Sequence, residues 1–455
     1  MVCLLGDCHP LLLGFLFCFQ PRKHGERFAH SVVSGKRNSS DYRLASARYC
    51  ASVVFFQLFC FRTFLSLLVF QQVLYWAGVG LIVQHFLEKR ALIFNLSALV
   101  LVGFFPVIWF ETASIWKDAL MLSSLLFAVG VFLAARRKKT RYWMLTVSWV
   151  ALILACGFRH NASMAVLPLV FMMTYDLLQS FTHLQKIAAA SSLFLSIFLF
   201  ARFVNDIGVV HHYPYLINQV VFWNLAGLSI DTEEILIPEA AFVNKDSAKI
   251  DVLKRYYSDA SNNGLTFSSG IINPNIWEDD VLGRVILVSG LKTIAQHFKK
   301  YVIMRMRFLK IFSGQGEWMP HNPFIFKTDY WEGDENLGLR MYHMHHPIAL
   351  SLLESKVATR FSHFGFYNVL PYLVCLVLAF FMLVVEIRRQ PGQPDKLILL
   401  GMVISGLLYW LPYVLIAPSN DFRYHNWTME VVLILIVVEG MTWLAVRFDK
   451  TDKNA

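Results

Sequence analysis

The chain has 455 residues, of which 56% are hydrophobic, 15% aromatic and only 16% charged, and its mean hydropathy is +0.50. Soluble domains carry roughly 25% charged residues, so this composition excludes an ordinary soluble enzyme and points to a polytopic membrane protein. The formal charge of +10 sits in Lys and Arg clustered at the ends of apolar runs, which reads as basic membrane-flanking loops and not as a nucleic-acid surface.

Residues 1–62 do not read as a span. The apolar run over 2–19 is interrupted by Asp7 and by His9-Pro10, and the basic segments PRKHGERF and GKRNSSDYR come after it. A secretory signal would place its basic residues first. From residue 63 the pattern becomes regular. Apolar runs predict membrane helices over 63–87, 92–110, 119–135, 143–158, 163–178, 187–204, 366–385, 397–416 and 431–446, because lipid leaves no partner for an unpaired backbone group.

If these nine spans alternate, Glu88-Lys89-Arg90, 136–141, 388–396 and 447–453 fall on one side. The positive-inside rule makes that side cytoplasmic. The opposite side receives 111–118, Arg159-His160-Asn161, the long polar segment and 417–427. The same alternation leaves 1–62 outside, so the chain reads as lacking a first helix or as starting from a misread gene start. The expected fold class is an all-α polytopic membrane protein of about nine transmembrane helices, or nine with a further one missing at the N-terminus, with a mixed outer-face segment. The expected organisation is an atypical segment 1–62, a helix group 63–205, an outer segment 206–365, a second helix group 366–446 and a cytoplasmic tail 447–455.

Within the outer segment, 285–312 predicts one basic amphipathic helix lying on the membrane surface, with Leu287, Leu291, Ile294 and Phe298 at helical spacing among Lys292, Lys299, Lys300, Arg305, Arg307 and Lys310. Residues 314–333 read as an irregular Trp-, Pro- and Gly-rich loop. None of the seven Cys lies in 206–365, so no disulfide framework is implied there. There is no C-x-x-C pair, no Cys/His zinc spacing, no P-loop and no GxGxxG. No cofactor is expected, and nothing supports a divalent cation. The His residues at 211–212 and in YHMHHP read as loop residues near the interface. Asn38, Asn95, Asn161 and Asn426 open N-x-S/T triplets, a weak signal.

Three outer stretches carry residues suited to chemistry. In FFPVIWFETASIWKDAL, over 104–120, Glu111 and Asp118 stand seven apart across a short loop, with Lys117 beside them. Under apolar helices such a carboxylate serves as a general base or a cation ligand. Alternatively, both are loop charges, with Asp118 favouring a helix N-terminus. In GFRHNAS, Arg159 follows an unbroken apolar run and needs an anionic partner, unless it snorkels to the interface. Its fork suits phosphate oxygens. In APSNDFRYHNW, Arg423 and Tyr424 suit a phosphate or a sugar hydroxyl, or else form part of an interfacial aromatic belt.

Together these three stretches resemble motifs of the GT-C class of integral-membrane glycosyltransferases, of the protein mannosyltransferase and lipid A aminoarabinose transferase type. LAGLSI and QHFKKYVIMRMRFL are similar to parts of the outer region in bacterial members, and the likeness covers roughly 63–447. The resemblance implies sugar transfer on the outer face from a polyprenyl-phosphate donor to a lipid, glycan or protein acceptor, as hexosyl or pentosyl transfer at a bacterial inner membrane. It also implies a catalytic Asp in a first outer loop, for which Asp7 in GDCHP is the matching residue. The expected catalytic set is then Asp7, Glu111 and Asp118. Lys117, Arg159, Asn161, Arg423 and Tyr424 form the expected donor-phosphate set. The lipid bilayer, the donor and the acceptor are the expected partners, without nucleic acid. The alternatives are a flippase or transporter of a lipid-linked glycan, an O-antigen-type polymerase, and an inactive truncated relative.

Overall fold

The computed structural model describes residues 64–113, 116–136, 141–159, 161–206, 214–313, 368–390, 392–418 and 422–452. The first helix group comprises α1 (Phe64–Leu87), α2 (Leu92–Gly103), α3 (Pro106–Thr112), α4 (Lys117–Ala135), α5 (Arg141–Phe158), α6 (Ala162–Leu177) and α7 (His183–Asp206). The outer segment holds α8 (Asn218–Thr232), α9 (Ile250–Tyr256), α10 (Asn275–Glu278), α11 (Asp280–Gln296) and α12 (Phe298–Phe312). The second group comprises α13 (Val369–Arg389), α14 (Pro394–Ile416) and α15 (Asn426–Asp452). Among the described residues there is no strand, only two isolated bridges, Phe242 with Ile272 and Ser258 with Ser261.

Among the described residues six helices are long and apolar enough to cross a bilayer: α1, α4, α7, α13, α14 and α15. Three shorter apolar helices, Leu92–Gly103, Tyr142–Phe158 and Ala162–Leu177, occupy the remaining places of the expected order. At 1.5 Å per residue the 12 residues of α2 reach about 18 Å, well short of a hydrocarbon core of about 30 Å.

Three expectations are corrected. The span expected over 92–110 is broken after Gly103, and a separate helix begins at Pro106. Proline lacks the N–H that would continue the ladder and holds the preceding residue extended; Phe105 stands at φ −58°, ψ 119°. The single amphipathic helix expected over 285–312 is two helices that meet at His297. The last span, expected over 431–446, is part of a longer helix that runs from Asn426 to Asp452.

Burial ranks the helices. α4 is buried along 89% of its apolar stretch, whereas α7 and α13 are buried along only 17%. α4 is therefore the central post, and α7 and α13 keep most of their apolar surface for lipid. α1 runs alongside α4 at close range: a Cβ on Gly78 would lie 2.6 Å from the backbone of Leu126 and Phe127. Small residues at such a crossing let two backbones approach, which is how helices associate without a hydrophobic driving force.

The outer segment docks on the bundle. Asn218 on α8 donates to the carbonyls of Ile276 (2.7 Å) and Gly283 (2.9 Å), and Arg307 on α12 bridges Asp231 and Asp259. α12 does not simply lie on the membrane surface. Met304, Arg305, Phe308 and Phe312 are buried, and Arg305 donates to the carbonyl oxygen of Val414 from Nε (3.0 Å) and Nη2 (2.7 Å). The last carbonyls of a helix have no partner within it and carry its negative dipole end, so Arg305 caps α14 from a neighbouring element.

Candidate functional site

The end of the bundle that carries the outer segment gathers the residues picked out in the sequence. Asp118 lies in the first turn of α4 and is fully buried. Arg159 follows the last turn of α5, and its guanidinium forms an ion pair with the Asp118 carboxylate; the two side chains are 10% and 0% exposed. Arg159 Nε also donates to the Tyr413 hydroxyl at 2.9 Å. Tyr413 in turn donates to the Tyr409 hydroxyl, at 3.4 Å.

Tyr424 completes this nest. Its ring stacks on Tyr413 with centroids 4.6 Å apart and planes 11° from parallel, and the Arg159 guanidinium lies 4.8 Å from its centroid. A guanidinium held between a carboxylate and aromatic faces is a low-entropy arrangement, because the planar fork is preorganised. The turn that presents Tyr424, Phe422–His425, is held from the outer segment. Phe312, the last residue of α12, packs on His425 with centroids 4.3 Å apart.

Arg423 stands on the outer side of this nest. It is half-buried, and its guanidinium lies 4.0 Å from the Trp116 centroid, next to the exposed Lys117. Glu111 is 6% exposed on α3. α3 is fixed at its end by the Thr112 carbonyl, which accepts hydrogen bonds from the amides of Gln71 and Gln72 on α1.

Asp118, Arg159, Tyr424, Arg423 and Lys117 thus come together, with Glu111 one short connection away. Asn161 is half-buried at the start of α6 and makes no capping hydrogen bond through its side chain. Asp7 lies outside the described residues, as do the His residues at 211–212 and 343–346, Asn38 and the loop 314–333. Two of the N-x-S/T residues are inside the fold: Asn95 donates to the Leu87 carbonyl (3.0 Å), and Asn426 is fully buried. Among the described residues no group of three or more His, Cys, Asp or Glu side chains is placed to hold a metal.

Sequence reasoning missed Tyr409 and Tyr413, which stand four apart on one face of α14 beside the in-helix Pro412. Two tyrosines one turn apart inside an apolar run are the signal, since a buried phenol needs a partner. It also missed Glu430, a lone carboxyl inside the last span. The other end of the bundle has its own network: Arg136 pairs with Asp176 (2.9 Å) and Asp395 (2.7 Å), and His85 meets Asp395 at 3.2 Å.

No family model, curated protein or solved structure matches the chain.

Proposed function

We propose that this protein is an integral-membrane glycosyltransferase that moves a sugar from a polyprenyl-phosphate donor to a lipid, glycan or protein acceptor at the outer face of a bacterial inner membrane. The observation that carries the reading is the meeting of Asp118, Arg159, Tyr424 and Arg423, contributed by three distant stretches, at the bundle end that bears the basic helix α12.

The geometry divides the roles. Asp118 is committed to Arg159 and keeps that guanidinium in place, so it is a positioning residue. Glu111, buried on α3, is assigned the proton of the attacking hydroxyl or amine, with Asp7 a further candidate from the resemblance alone. The exposed Lys117 and the half-buried Arg423 would meet the donor phosphate, and the buried Arg159 with Tyr424 would back them, with Asn161 two residues on. In the reaction the acceptor oxygen or nitrogen forms a bond to the anomeric carbon. The bond from that carbon to the phosphate oxygen breaks, polyprenyl phosphate leaves, and the acceptor proton passes to the carboxylate. The cationic groups stabilise the charge growing on the departing phosphate.

The test is transfer of labelled sugar from a polyprenyl-phosphate donor in membranes carrying Glu111→Gln or Arg423→Ala. Both variants should lose transfer at unchanged protein level; full transfer in both overturns the reading.

A second reading, a flippase or transporter of a lipid-linked glycan, is favoured by the break between α2 and α3 and by Glu430 deep in the bundle, because transporters place broken helices and ionisable groups near mid-membrane. Mass analysis of surface glycan in a deletion strain separates the two. Loss of one sugar indicates the transferase, and loss of whole chains indicates the flippase.

A further inference from the structure

We propose that the seam between α1, α15 and the broken end of α2 binds a small monovalent cation, sodium-like in size, through Glu430 and Asn426. Glu430 and Asn426 stand one turn apart on the same face of α15, and both are fully buried. Neither carboxyl oxygen of Glu430 has a hydrogen-bond partner among the described residues, and neither does the side-chain oxygen or nitrogen of Asn426. Native interiors leave few such atoms, and each calls for a ligand.

The depth makes this costly. Trp427, between the two, donates to the Ser405 hydroxyl (2.8 Å), and Ser405 lies at the midpoint of α14. A carboxylate near the middle of a bilayer is expensive unless it is neutralised.

The surroundings supply oxygen and negative potential. Tyr75 on α1 lies within electrostatic reach of Glu430, and its hydroxyl donates towards the carbonyls of Val102 (3.5 Å) and Gly103 (3.4 Å). Those carbonyls end α2, which stops there because Pro106 starts a new helix. A helix that ends inside a bundle directs its negative dipole end and its last carbonyls into the interior, and such ends hold alkali ions. Three side-chain acceptor oxygens (both of Glu430 and Oδ1 of Asn426), one phenol oxygen and a helix C-terminus form a hard, oxygen-only environment. One carboxylate carries one negative charge, so a monovalent ion balances it and a divalent ion would leave a net charge buried. The site holds whether the protein is a transferase or a transporter, because it uses none of the residues assigned to the outer end.

The experiment follows thermal unfolding of the full-length protein in detergent, at fixed ionic strength and pH, as choline chloride is exchanged for sodium chloride. A ligand that binds only the folded state raises the transition with its concentration. The wild type should show a saturable sodium-dependent rise that potassium reproduces poorly. Glu430→Gln, close in shape and uncharged, should fold and lose the rise. Asn426→Ala should need at least tenfold more sodium for half the effect. An equal rise in Glu430→Gln overturns the site, as does a wild type that responds to pH but not to sodium.

Discussion

Asp118 and Arg136 stand at opposite ends of the same buried helix, and each ties that helix to a neighbouring element through an ion pair. At the outer end Asp118 pairs with Arg159, which leads into α6 and reaches Tyr413 on α14. At the other end Arg136 pairs with Asp176 on α6 and with Asp395 on α14. α4 is thus pinned by a buried ion pair at each end.

The outer pin is the more costly to break. Asp118→Asn leaves Arg159 buried without its counter-ion, and removing one partner of a buried pair costs about 3–5 kcal/mol. Asp118→Asn should lower the unfolding transition in detergent. Asp118→Asn combined with Arg159→Met should recover more than half of the loss, because no lone charge remains. A double variant as unstable as the sum of the single ones would show that the pair is not coupled.

At the inner pin the two acids should differ. The Asp176 side chain is 5% exposed and that of Asp395 is 53% exposed. Asp395→Asn should cost about 0–1 kcal/mol, as at a solvated pair. Arg136→Met strands the buried Asp176 and should cost several-fold more, by about 3–5 kcal/mol. Equal losses in denaturant titrations would contradict the exposure argument.

The outer segment should be sensitive to alkali. Burial, and then the Asp259 charge to which Tyr257 donates at 3.0 Å, push the Tyr257 hydroxyl well above the usual phenol range. The folded state therefore keeps a proton that the unfolded state loses. The stability from this group is complete below the ordinary phenol value of about 10 and falls away as pH rises above it. Tyr257→Phe should flatten the decline in unfolding temperature above about pH 10; an unchanged decline removes Tyr257 as its source.

Close packing of α1 on α4 gives a prediction with an internal control. Gly78→Val forces a side chain into the Leu126 and Phe127 backbone, and overpacking of this kind costs about 1–3 kcal/mol. A Cβ on Gly80 meets nothing within 4 Å, so Gly80→Ala should leave unfolding unchanged. Thermal scans of both variants check the contrast.

Removing the cap on α14 should loosen the turn that carries Tyr413. Arg305→Ala gives up two charge-assisted bonds to Val414, about 1.5–3 kcal/mol. Hydrogen exchange should rise over 413–417. Protection equal to that of the wild type would show that water caps this end as well as Arg305 does.

Much of this was legible in the residues, for physical reasons that differ by element. Long apolar runs can only be helices in lipid, so composition and periodicity alone determined an all-helical membrane protein, and the starts and ends of α4, α5, α6 and α14 fall within two or three residues of expectation. The same rule that charges need partners marked Asp118 and Arg159 as worth watching. What it could not supply was the partner itself, because the two residues are 41 positions apart and each had a plausible local explanation. Hydrophobic pattern also missed the break at Gly103 and Pro106, since apolar residues flank it on both sides and lipid burial hides the interruption. Tertiary structure decided that Asp118 belongs to Arg159, that Tyr75 reaches the end of α2, and that α12 caps α14. Those outcomes depend on which helix faces meet, and an apolar run that suits lipid on every side carries little record of its neighbours.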